Sequence, residues 1–318
     1  MGTGRITRRL VADLQSTDGV SVTAIASRSQ DRADWFASQY GIASAVEGYE
    51  PLLARDDVDA VYLSLPPFLH AQWCVKAAEA GKHILCEKPL AMNASEAKQI
   101  DAACRNAGVR WIDATGWLHH RRTHEMLEIA RGGRLGKLGH LSVAVSFFRP
   151  FQSDEHRLDP KRGGGCLLDL GWYTSGLACH FSGGLPQKVF ADSIQENGVP
   201  IRLNAMLWFN HDVTASFSCG YDTATRKWFE IAGSEASLIC DDFTRPWADR
   251  ATRFWIHDAS GEVKPHESSD RQEQRMIELL VGDQSLNGYN QLALQTQRVL
   301  DALDESVRVG HPITLGPL

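Results

Sequence analysis

Two different patterns of apolar residues divide the chain. Up to residue 112, short apolar strands such as 59–64 and 83–86 alternate with helices that carry apolar residues on one face. Neighbouring parallel strands need a crossover between them, so this alternation predicts an α/β domain with a doubly wound parallel sheet. From Leu138 onward, strands follow one another through short turns, which predicts an open, mainly antiparallel sheet. We therefore predict two domains, an α/β domain over 1–115 and an α+β domain over 116–318.

Composition limits the classes of partner. The 318 residues carry a formal net charge of −6, which gives no basic field for nucleic acid or an anionic membrane. The seven cysteines are scattered and form no C-x-x-C pair, so neither a disulfide framework nor a structural zinc site is expected. No long apolar run opens the chain as a signal peptide would. These features predict a cytoplasmic protein whose partner is a small molecule.

The first residues match part of a phosphate-binding loop. Gly2 and Gly4 match the first two glycines of G-x-G-x-x-G, and Thr7 stands at the third place. This loop lets a backbone approach a pyrophosphate at a helix N-terminus, and it is meaningful where a strand precedes it and a helix follows. The helix follows, with Arg5 and Ile6 in its first turn as further cofactor contacts, but the strand is missing. We therefore expect the natural start to lie several residues upstream, and Thr7 to pack less closely than glycine.

The end of the strand predicted at 20–26 indicates which dinucleotide binds. An acidic residue here would bind the ribose 2′-hydroxyl of NAD, whereas an arginine accommodates the 2′-phosphate of NADP. Ser27 and Arg28 follow the strand, and neither Asp nor Glu occupies 26–29. We therefore expect NADP(H) to be preferred, with NAD(H) as the second candidate. The alternative is that Arg28 merely opens a solvated helix.

A pair of opposite charges follows the strand predicted at 83–86. Glu87 and Lys88 stand at its carboxyl end, where open parallel sheets bind ligands, and Pro89 fixes the backbone behind them. A lysine in such a place can be desolvated so that its pKa falls, which suits it to proton transfer or to holding a substrate oxygen. The alternative is an ordinary surface ion pair in a turn.

With its flanking stretches, this turn resembles the Gfo/Idh/MocA family of NAD(P)-dependent oxidoreductases. Those stretches are Ala60-Val61-Tyr62-Leu63-Ser64-Leu65-Pro66-Pro67 and His70 before the turn, and Leu90-Ala91 with a long helix after it. The resemblance implies that the first domain is a Rossmann domain. It also implies that Lys88 is the catalytic-site lysine, that the Lys88–Pro89 bond is cis and that Glu87 lies beside the cofactor and fixes the lysine.

The same resemblance assigns further residues. It implies that Leu65 and Pro66 line the cofactor and that His70 lies beside it, with a helix-capping or core histidine as an equal alternative. It also implies that Trp117 and His119, in the crossover to the second domain, face the substrate. No acidic or cysteine partner stands at ligand spacing from this histidine, so no metal is expected.

A second group of reactive residues follows the glycines at 163–165. Asp169 and Tyr173 are four residues apart, so both would project from one face of a predicted helix. In a cleft that also holds a lysine, a carboxylate and a phenol would form a proton-transfer unit. Many members of the family have D-x-G-x-H-x-x-D here. With Tyr173 and Gly176 at the histidine and second aspartate positions, the chain is similar to the tyrosine-bearing branch of dihydrodiol dehydrogenase, glucose-fructose oxidoreductase and xylose dehydrogenase. The alternative is a structural Asp169 and a core Tyr173.

The resemblance implies hydride transfer between NADP(H) and a secondary alcohol or hemiacetal carbon of a sugar, polyol or dihydrodiol. Tyr173 would be the acid/base, its pKa lowered from about 10 by Lys88, and Asp169 would hold a substrate hydroxyl. The oligomer would be a homodimer or homotetramer formed through the open sheet. The alternative is a catalytically weak nucleotide-binding sensor or regulator of the same fold, which the missing first strand would suit.

Overall fold

The chain folds into two compact units. The computed structural model describes residues 1–148, 150–151, 155–245, 252–260, 266–268 and 271–316. Unit 1 comprises Met1–Thr115 and Glu273–Gln291, and unit 2 comprises Gly116–Gln272 and Leu292–Leu318. No helix in the described part of the chain is both long and apolar enough to cross a membrane.

Unit 1 is built from parallel strands with helices between them. Strands β1 to β5 are Ala24–Ser27, Ser44–Glu47, Ala60–Leu63, His83–Cys86 and Trp111–Asp113. Helices α1 to α5 are Arg5–Gln15, Gln30–Tyr40, Glu50–Leu53, His70–Glu79 and Ala94–Ala107. β1 pairs with β2, and β3, β4 and β5 form a second sheet in that order, all in parallel. The predicted α/β fold with a parallel sheet is confirmed.

The helices of unit 1 end and begin where the sequence provides caps. Gly41 and Gly108 follow α2 and α5 with φ of 64° and 67°, a left-handed conformation that glycine adopts without steric cost. Asn93 begins α5, because its side chain accepts a hydrogen bond from the backbone N–H of Glu96 at 3.0 Å. Asn93 thus sets the start of α5 shortly after the turn that contains Lys88.

The start of the chain lies between β1 and β3. The Met1 amino group donates to the Tyr62 carbonyl at 2.7 Å, and the Ser64 N–H donates to the Met1 carbonyl at 3.0 Å. On the other side, the Gly2 N–H donates to the Ala26 carbonyl at 2.9 Å. No strand precedes α1 among the described residues, yet Met1 and Gly2 form backbone hydrogen bonds with the segments of both β1 and β3.

A late segment of the chain belongs to unit 1. Helix α9, Gln272–Val281, packs Met276, Ile277 and Leu280 into a core cluster with Leu10 of α1, Leu85 of β4 and Ile112 of β5. The sequence-based division into 1–115 and 116–318 therefore needs a correction at residues 273–291. The physical reason is that the apolar face of α9 is buried against the parallel sheet.

Unit 2 is dominated by a large sheet. Strands β6 to β14 are Leu138–Ser146, Lys188–Glu196, Val199–Trp208, Thr214–Gly220, Arg226–Gly233, Ala236–Cys240, Thr252–Asp258, His266–Ser268 and Ile313–Thr314. Their order in the sheet is β13-β12-β11-β10-β6-β9-β8-β7-β14. The β6–β9 pair is parallel and the other pairs are antiparallel, so the predicted mainly antiparallel sheet is confirmed.

One face of this sheet is covered by helices. Helices α6, α7, α8 and α10 are Arg121–Arg131, Cys166–Asp169, Gly171–Ser182 and Asn287–Val309. On β8, Leu203, Ala205 and Leu207 are buried, whereas the alternate residues from Arg202 to Trp208 keep exposed surface. This alternation leaves the second face of the strand accessible, as expected for an open antiparallel sheet.

Candidate active-site elements

The loop before α1 has the backbone that a phosphate site needs. Gly2 has a φ of +96°, and a Cβ at this position would lie 2.8 Å from the Ser64 carbonyl oxygen, so only glycine fits. Gly4 is the N-cap of α1 and provides no side-chain cap for the first N–H groups of the helix. Arg5 and Ile6 lie exposed in the first turn. A loop of this kind presents backbone N–H groups to an anion.

Thr7 is accommodated by hydrogen bonds rather than by its size. Its side chain is 1% exposed, and its hydroxyl donates to the Gly2 carbonyl at 3.1 Å. The Thr7 and Ser64 hydroxyls lie 2.6 Å apart, and Ser64 also donates to the Met1 carbonyl at 3.1 Å. The expected looser packing is thus offset, because the hydroxyl that glycine lacks is bonded to the loop itself.

The end of β1 carries the residues predicted to select NADP. Ser27 is buried, Arg28 is exposed, and Ser29 is the N-cap of α2 without a side-chain cap hydrogen bond. Within the described residues, the Arg28 guanidinium forms no ion pair. Tyr49 lies close enough to feel this charge: burial raises the pKa of Tyr49, and the Arg28 cation opposes the rise. The contact of Arg28 with a 2′-phosphate stays a prediction.

The sequence leaves two placements of His70 open, one beside the cofactor and one as a helix-capping or core histidine. Its ring is fully buried, with Nδ1 2.8 Å from the Pro89 carbonyl oxygen and Nε2 2.8 Å from the Leu65 carbonyl oxygen. Burial lowers the pKa of His70. The alternative of a core histidine is therefore the one that the structure favours, because the imidazole contacts two backbone segments and has no exposed surface. Leu65 and Pro66, in contrast, do lie directly beyond the end of β3.

The turn after β4 places Lys88 next to the partly buried carboxylate of Glu87. The Lys88–Pro89 peptide bond is cis. Glu87 accepts a hydrogen bond from the Tyr62 hydroxyl at 2.5 Å and from the Lys88 backbone N–H at 3.3 Å. Burial raises the pKa of Glu87, while the Tyr62 hydroxyl and the Lys88 cation oppose that rise. Glu87 thus holds the backbone of the turn from the inside, and the Lys88 side chain keeps partial exposure.

In unit 2, Asp169 and Tyr173 lie on two consecutive short helices rather than one. Asp169 is the last residue of α7, Tyr173 is in the first turn of α8, and Leu170 between them has a φ of −105°. The glycines before α7 are required by close contacts: Gly165 has a φ of +101°, and a Cβ there would lie 2.8 Å from Pro200. The single predicted helix is therefore interrupted, and Tyr173 remains partly exposed.

Sequence reasoning missed two residues that contact Asp169. The Arg157 Nε donates to Asp169 Oδ2 at 2.7 Å, and the Tyr221 hydroxyl donates to the same oxygen at 3.0 Å and to the Gly165 carbonyl at 3.1 Å. Burial, and then the Asp169 charge, raise the pKa of Tyr221 well above its usual value. Burial alone would lower the pKa of Arg157, but the Asp169 carboxylate raises that pKa above its usual value. Asp169 is therefore bound by a fixed cation and by a phenol that keeps its proton.

Trp117 and His119, predicted to face the substrate, are placed in the interior of unit 2. The Trp117 ring lies 5.6 Å from the Phe243 ring and 6.0 Å from the His180 ring. Trp117 and His119 are each 1% exposed. Burial lowers the pKa of His119 to about 3, with smaller effects from other histidines. The turn that carries them is part of a core because its aromatic side chain packs against other aromatic rings.

Comparison with known proteins assigns the family. Residues 1–114 match the GFO_IDH_MocA model, described as an oxidoreductase family with an NAD-binding Rossmann fold, and residues 123–239 match the C-terminal domain of the same family. The chain therefore belongs to the Gfo/Idh/MocA oxidoreductases, and the resemblance inferred from the sequence is confirmed. Unit 1 contains the NAD-binding domain of this family.

Several relatives cover most of the chain. D-xylose 1-dehydrogenase (NADP(+)) 2 from Haloferax volcanii is 29% identical over 99% of this chain and 98% of its own length. The dTDP-3,4-didehydro-2,6-dideoxy-alpha-D-glucose 3-reductase of Actinomadura kijaniata is 37% identical over 73% of this chain and 70% of its own length. The crystal structure of a 3-ketoreductase from Actinomadura kijaniata with NADP and TDP-benzene matches with a TM-score of 0.86, 29% identity and 95% coverage of both chains.

Proposed function

We propose that the protein is an NADP(H)-dependent oxidoreductase that transfers a hydride to or from a secondary alcohol or hemiacetal carbon of a sugar, polyol or dihydrodiol. The observation that carries the proposal is the retention of Lys88, Asp169 and Tyr173, with Asp169 bound by Arg157 at 2.7 Å. The relatives described above include an NADP-dependent xylose dehydrogenase and a reductase of a keto sugar. The cofactor supplies the hydride, while the protein orients the reactants and handles the proton.

The cofactor would be held by the elements of unit 1. The glycine loop at Gly2 and Gly4 with the first turn of α1 suits the pyrophosphate, since the backbone can approach closely there. Arg28 suits the 2′-phosphate, with Ser27 beside it, and Leu65, Pro66 and the turn at Glu87 suit the remainder. The choice of NADP is supported by the unpaired Arg28 and by the NADP named for two relatives.

In the proposed chemistry, Tyr173 exchanges the proton of the reacting hydroxyl. An unperturbed phenol has a pKa near 10, and as a general acid/base Tyr173 would release and recover that proton in the reaction. Asp169 would accept a hydrogen bond from a substrate hydroxyl. Structures of the 3-ketoreductase from Actinomadura kijaniata include variants in which a tyrosine is replaced by phenylalanine or a lysine by alanine or glutamate. These are the same two residue types as Tyr173 and Lys88.

The proposal is tested with Tyr173→Phe. Wild-type protein is incubated with NADPH and a panel of keto sugars, and with NADP and a panel of aldoses and diols, and the absorbance of the reduced cofactor is followed. Tyr173→Phe removes only the hydroxyl, so cofactor affinity should be retained while kcat falls by roughly 10²-fold or more. Tyr40→Phe, on α2 of unit 1, is the matched control and should keep full turnover.

Two outcomes would overturn the proposal. Unchanged turnover of Tyr173→Phe would remove this phenol from the mechanism and leave Lys88 as the acid/base candidate. Wild-type protein that binds NADPH tightly but turns over none of the panel would favour the second candidate, a nucleotide-binding sensor. The retained Lys88, Asp169 and Tyr173 favour the enzyme.

We also infer a cytoplasmic homodimer or homotetramer formed through the accessible face of the large sheet of unit 2. The alternate residues of β8 that keep exposed surface lie on this face. Light scattering after size exclusion measures the mass of the assembly. Replacing Met206 with Lys on this face should shift the mass toward the monomer, whereas replacing the exposed Lys161 with Glu should leave it unchanged.

A further inference from the structure

A chain of contacts, buried at both ends and partly buried at Ser64, joins three segments of unit 1. It begins at the glycine loop, where Thr7 donates to the Gly2 carbonyl at 3.1 Å and its hydroxyl lies 2.6 Å from that of Ser64. The Ser64 hydroxyl oxygen also lies 3.1 Å from the Met1 carbonyl oxygen and 3.3 Å from the Gly2 carbonyl oxygen, and its single proton can serve one of its neighbours at a time. The loop before α1 is thus bonded to the residue that follows β3.

The chain continues from β3 to the turn that contains Lys88. Ser64 is covalently joined to Leu65, whose carbonyl oxygen lies 2.8 Å from Nε2 of His70. Nδ1 of the same ring lies 2.8 Å from the carbonyl oxygen of Pro89, the residue after Lys88. One imidazole therefore spans the segment after β3 and the segment after β4.

Burial makes these contacts stiff. His70 has no exposed surface, and Thr7 is 1% exposed. Water therefore cannot readily replace a lost partner of Thr7 or His70, whereas Ser64 keeps some exposed surface. Burial lowers the pKa of His70, which favours the neutral imidazole. This form carries a single N–H, so it donates to one of the two carbonyls and only contacts the other.

We propose that Thr7, Ser64 and His70 are positioning residues that hold the glycine loop and the Lys88 turn in one shared arrangement. The consequence is that cofactor affinity and Lys88-dependent turnover are coupled through these three side chains. The turnover part rests on the proposed function, whereas the affinity part rests on the NAD-binding domain alone. Glycine at the third place of the loop would lack the hydroxyl, so Thr7 gives this chain a link that the G-x-G-x-x-G pattern does not contain.

The test is a double-mutant cycle with Thr7→Val and His70→Gln. Valine keeps the shape of threonine without the hydroxyl, and glutamine retains one amide donor for one of the two carbonyls. The dissociation constant for NADPH is measured by nucleotide fluorescence, and kcat is measured with the substrate found in the panel. Melting temperatures show that each variant is folded.

We expect Thr7→Val to weaken NADPH binding by about 10-fold, and His70→Gln to lower kcat more than it weakens NADPH binding. In the double variant, the fold increase in the dissociation constant for NADPH should be at least 3-fold smaller than the product of the two single increases. The reason is that either change alone already releases the same arrangement. Ser64→Ala with His70→Gln should show the same shortfall. Should His70→Gln fail to fold, His70→Asn takes its place in both cycles.

Thr17→Val is the matched control. Thr17 is also a buried threonine beside α1, but its hydroxyl donates to the Asp13 carbonyl at 2.8 Å and is not part of the chain. Its effect should multiply with that of His70→Gln to within about 2-fold, the usual limit for independent sites. Multiplicative losses in the Thr7 and His70 cycle would overturn the coupling. Because NADPH binding needs no substrate, an absence of turnover would count against the proposed function and leave the affinity cycle decisive.

Discussion

The Asp169 carboxylate is held in place by two side chains from other segments of unit 2. Arg157 precedes it by one loop, and Tyr221 follows β9, yet both donate to Oδ2. Side-chain exposure is 28% for Arg157 and 15% for Asp169. The attraction between the two charges is therefore screened less by water than that of an exposed ion pair. Tyr221 keeps its proton because burial raises its pKa. Tyr221 is therefore a donor to Asp169, which leaves Tyr173 as the tyrosine proposed for proton exchange.

Removing the cation from this group tests its importance. Arg157→Met should lower kcat by about 10-fold and the free energy of unfolding by about 1 to 3 kcal/mol, because it leaves a shielded carboxylate without its counter-charge. Chemical denaturation and steady-state kinetics measure the two effects. Arg308→Met, whose ion pair with Glu305 is 70% exposed on the arginine side, is the control and should change neither quantity measurably.

Arg28 should set the preference between the two dinucleotides. If the guanidinium binds the 2′-phosphate, Arg28→Asp should weaken NADP binding by about 1.5 to 3 kcal/mol, the scale of a charge-assisted hydrogen bond, and change NAD binding much less. Titration calorimetry with both cofactors measures the difference. Arg32→Asp, equally exposed on α2, controls for net charge. Equal losses for NADP and NAD in Arg28→Asp would contradict the assignment.

At the scale of elements, one arginine side chain connects α9 to the segment before β5, which is far away in the sequence. Arg110, immediately before β5, donates to the carbonyls of Leu280 at 2.9 Å, Leu279 at 2.8 Å and Gln284 at 2.8 Å. The last carbonyls of a helix have no partner within the helix, and a cation there also interacts favourably with the negative end of the helix dipole. This contact fixes the end of α9 in unit 1.

Arg110→Met should therefore destabilise unit 1. We expect a loss of about 2 kcal/mol in the free energy of unfolding, since three carbonyls lose a charged donor and remain partly shielded. Urea denaturation followed by far-ultraviolet circular dichroism measures the loss. Arg121→Met removes an ion pair in which Arg121 is 66% and Glu125 is 33% exposed, and it should cost less than about 0.5 kcal/mol. A similar loss in both variants would refute the proposed role of Arg110.

The elements also show which parts of the fold the sequence determines locally. The apolar strand His83–Cys86 and the turn at Gly81 were predictable because strand period and turn chemistry are properties of neighbouring residues. The membership of α9 in unit 1 was not predictable, because helical spacing shows which face of a helix is buried but not which element that face packs against. The same limit explains Arg157 and Tyr221: no spacing rule connects them to Asp169. For His70, the sequence left two placements open, and only the contacts to Leu65 and Pro89 distinguish them.

At the scale of the whole molecule, the buried His119 and the partly buried His180 make stability depend on pH. Burial lowers the pKa of His119 to about 3, and burial followed by nearby positive groups lowers that of His180 to about 4. In the unfolded chain both would titrate near 6.5. The folded state therefore binds fewer protons than the unfolded state between these values. The stabilisation is fully present above about pH 6.5 and is lost as the pH falls toward 4.

We expect the free energy of unfolding to fall between pH 7 and pH 5, with each of these histidines contributing a slope of up to about 1.4 kcal/mol per pH unit below pH 6.5. His180→Phe should reduce that slope, because phenylalanine keeps the aromatic contacts to Trp117 and Phe181 and cannot be protonated. Within the described residues, Nε2 of His180 has no hydrogen-bond partner, so the exchange loses no bond at that atom. Urea denaturation at pH 7.5, 6.5, 6.0 and 5.5 measures the slope. His211→Gln, in an exposed turn, should leave it unchanged. A slope that is the same in His180→Phe and wild type would show that acid acts on other groups.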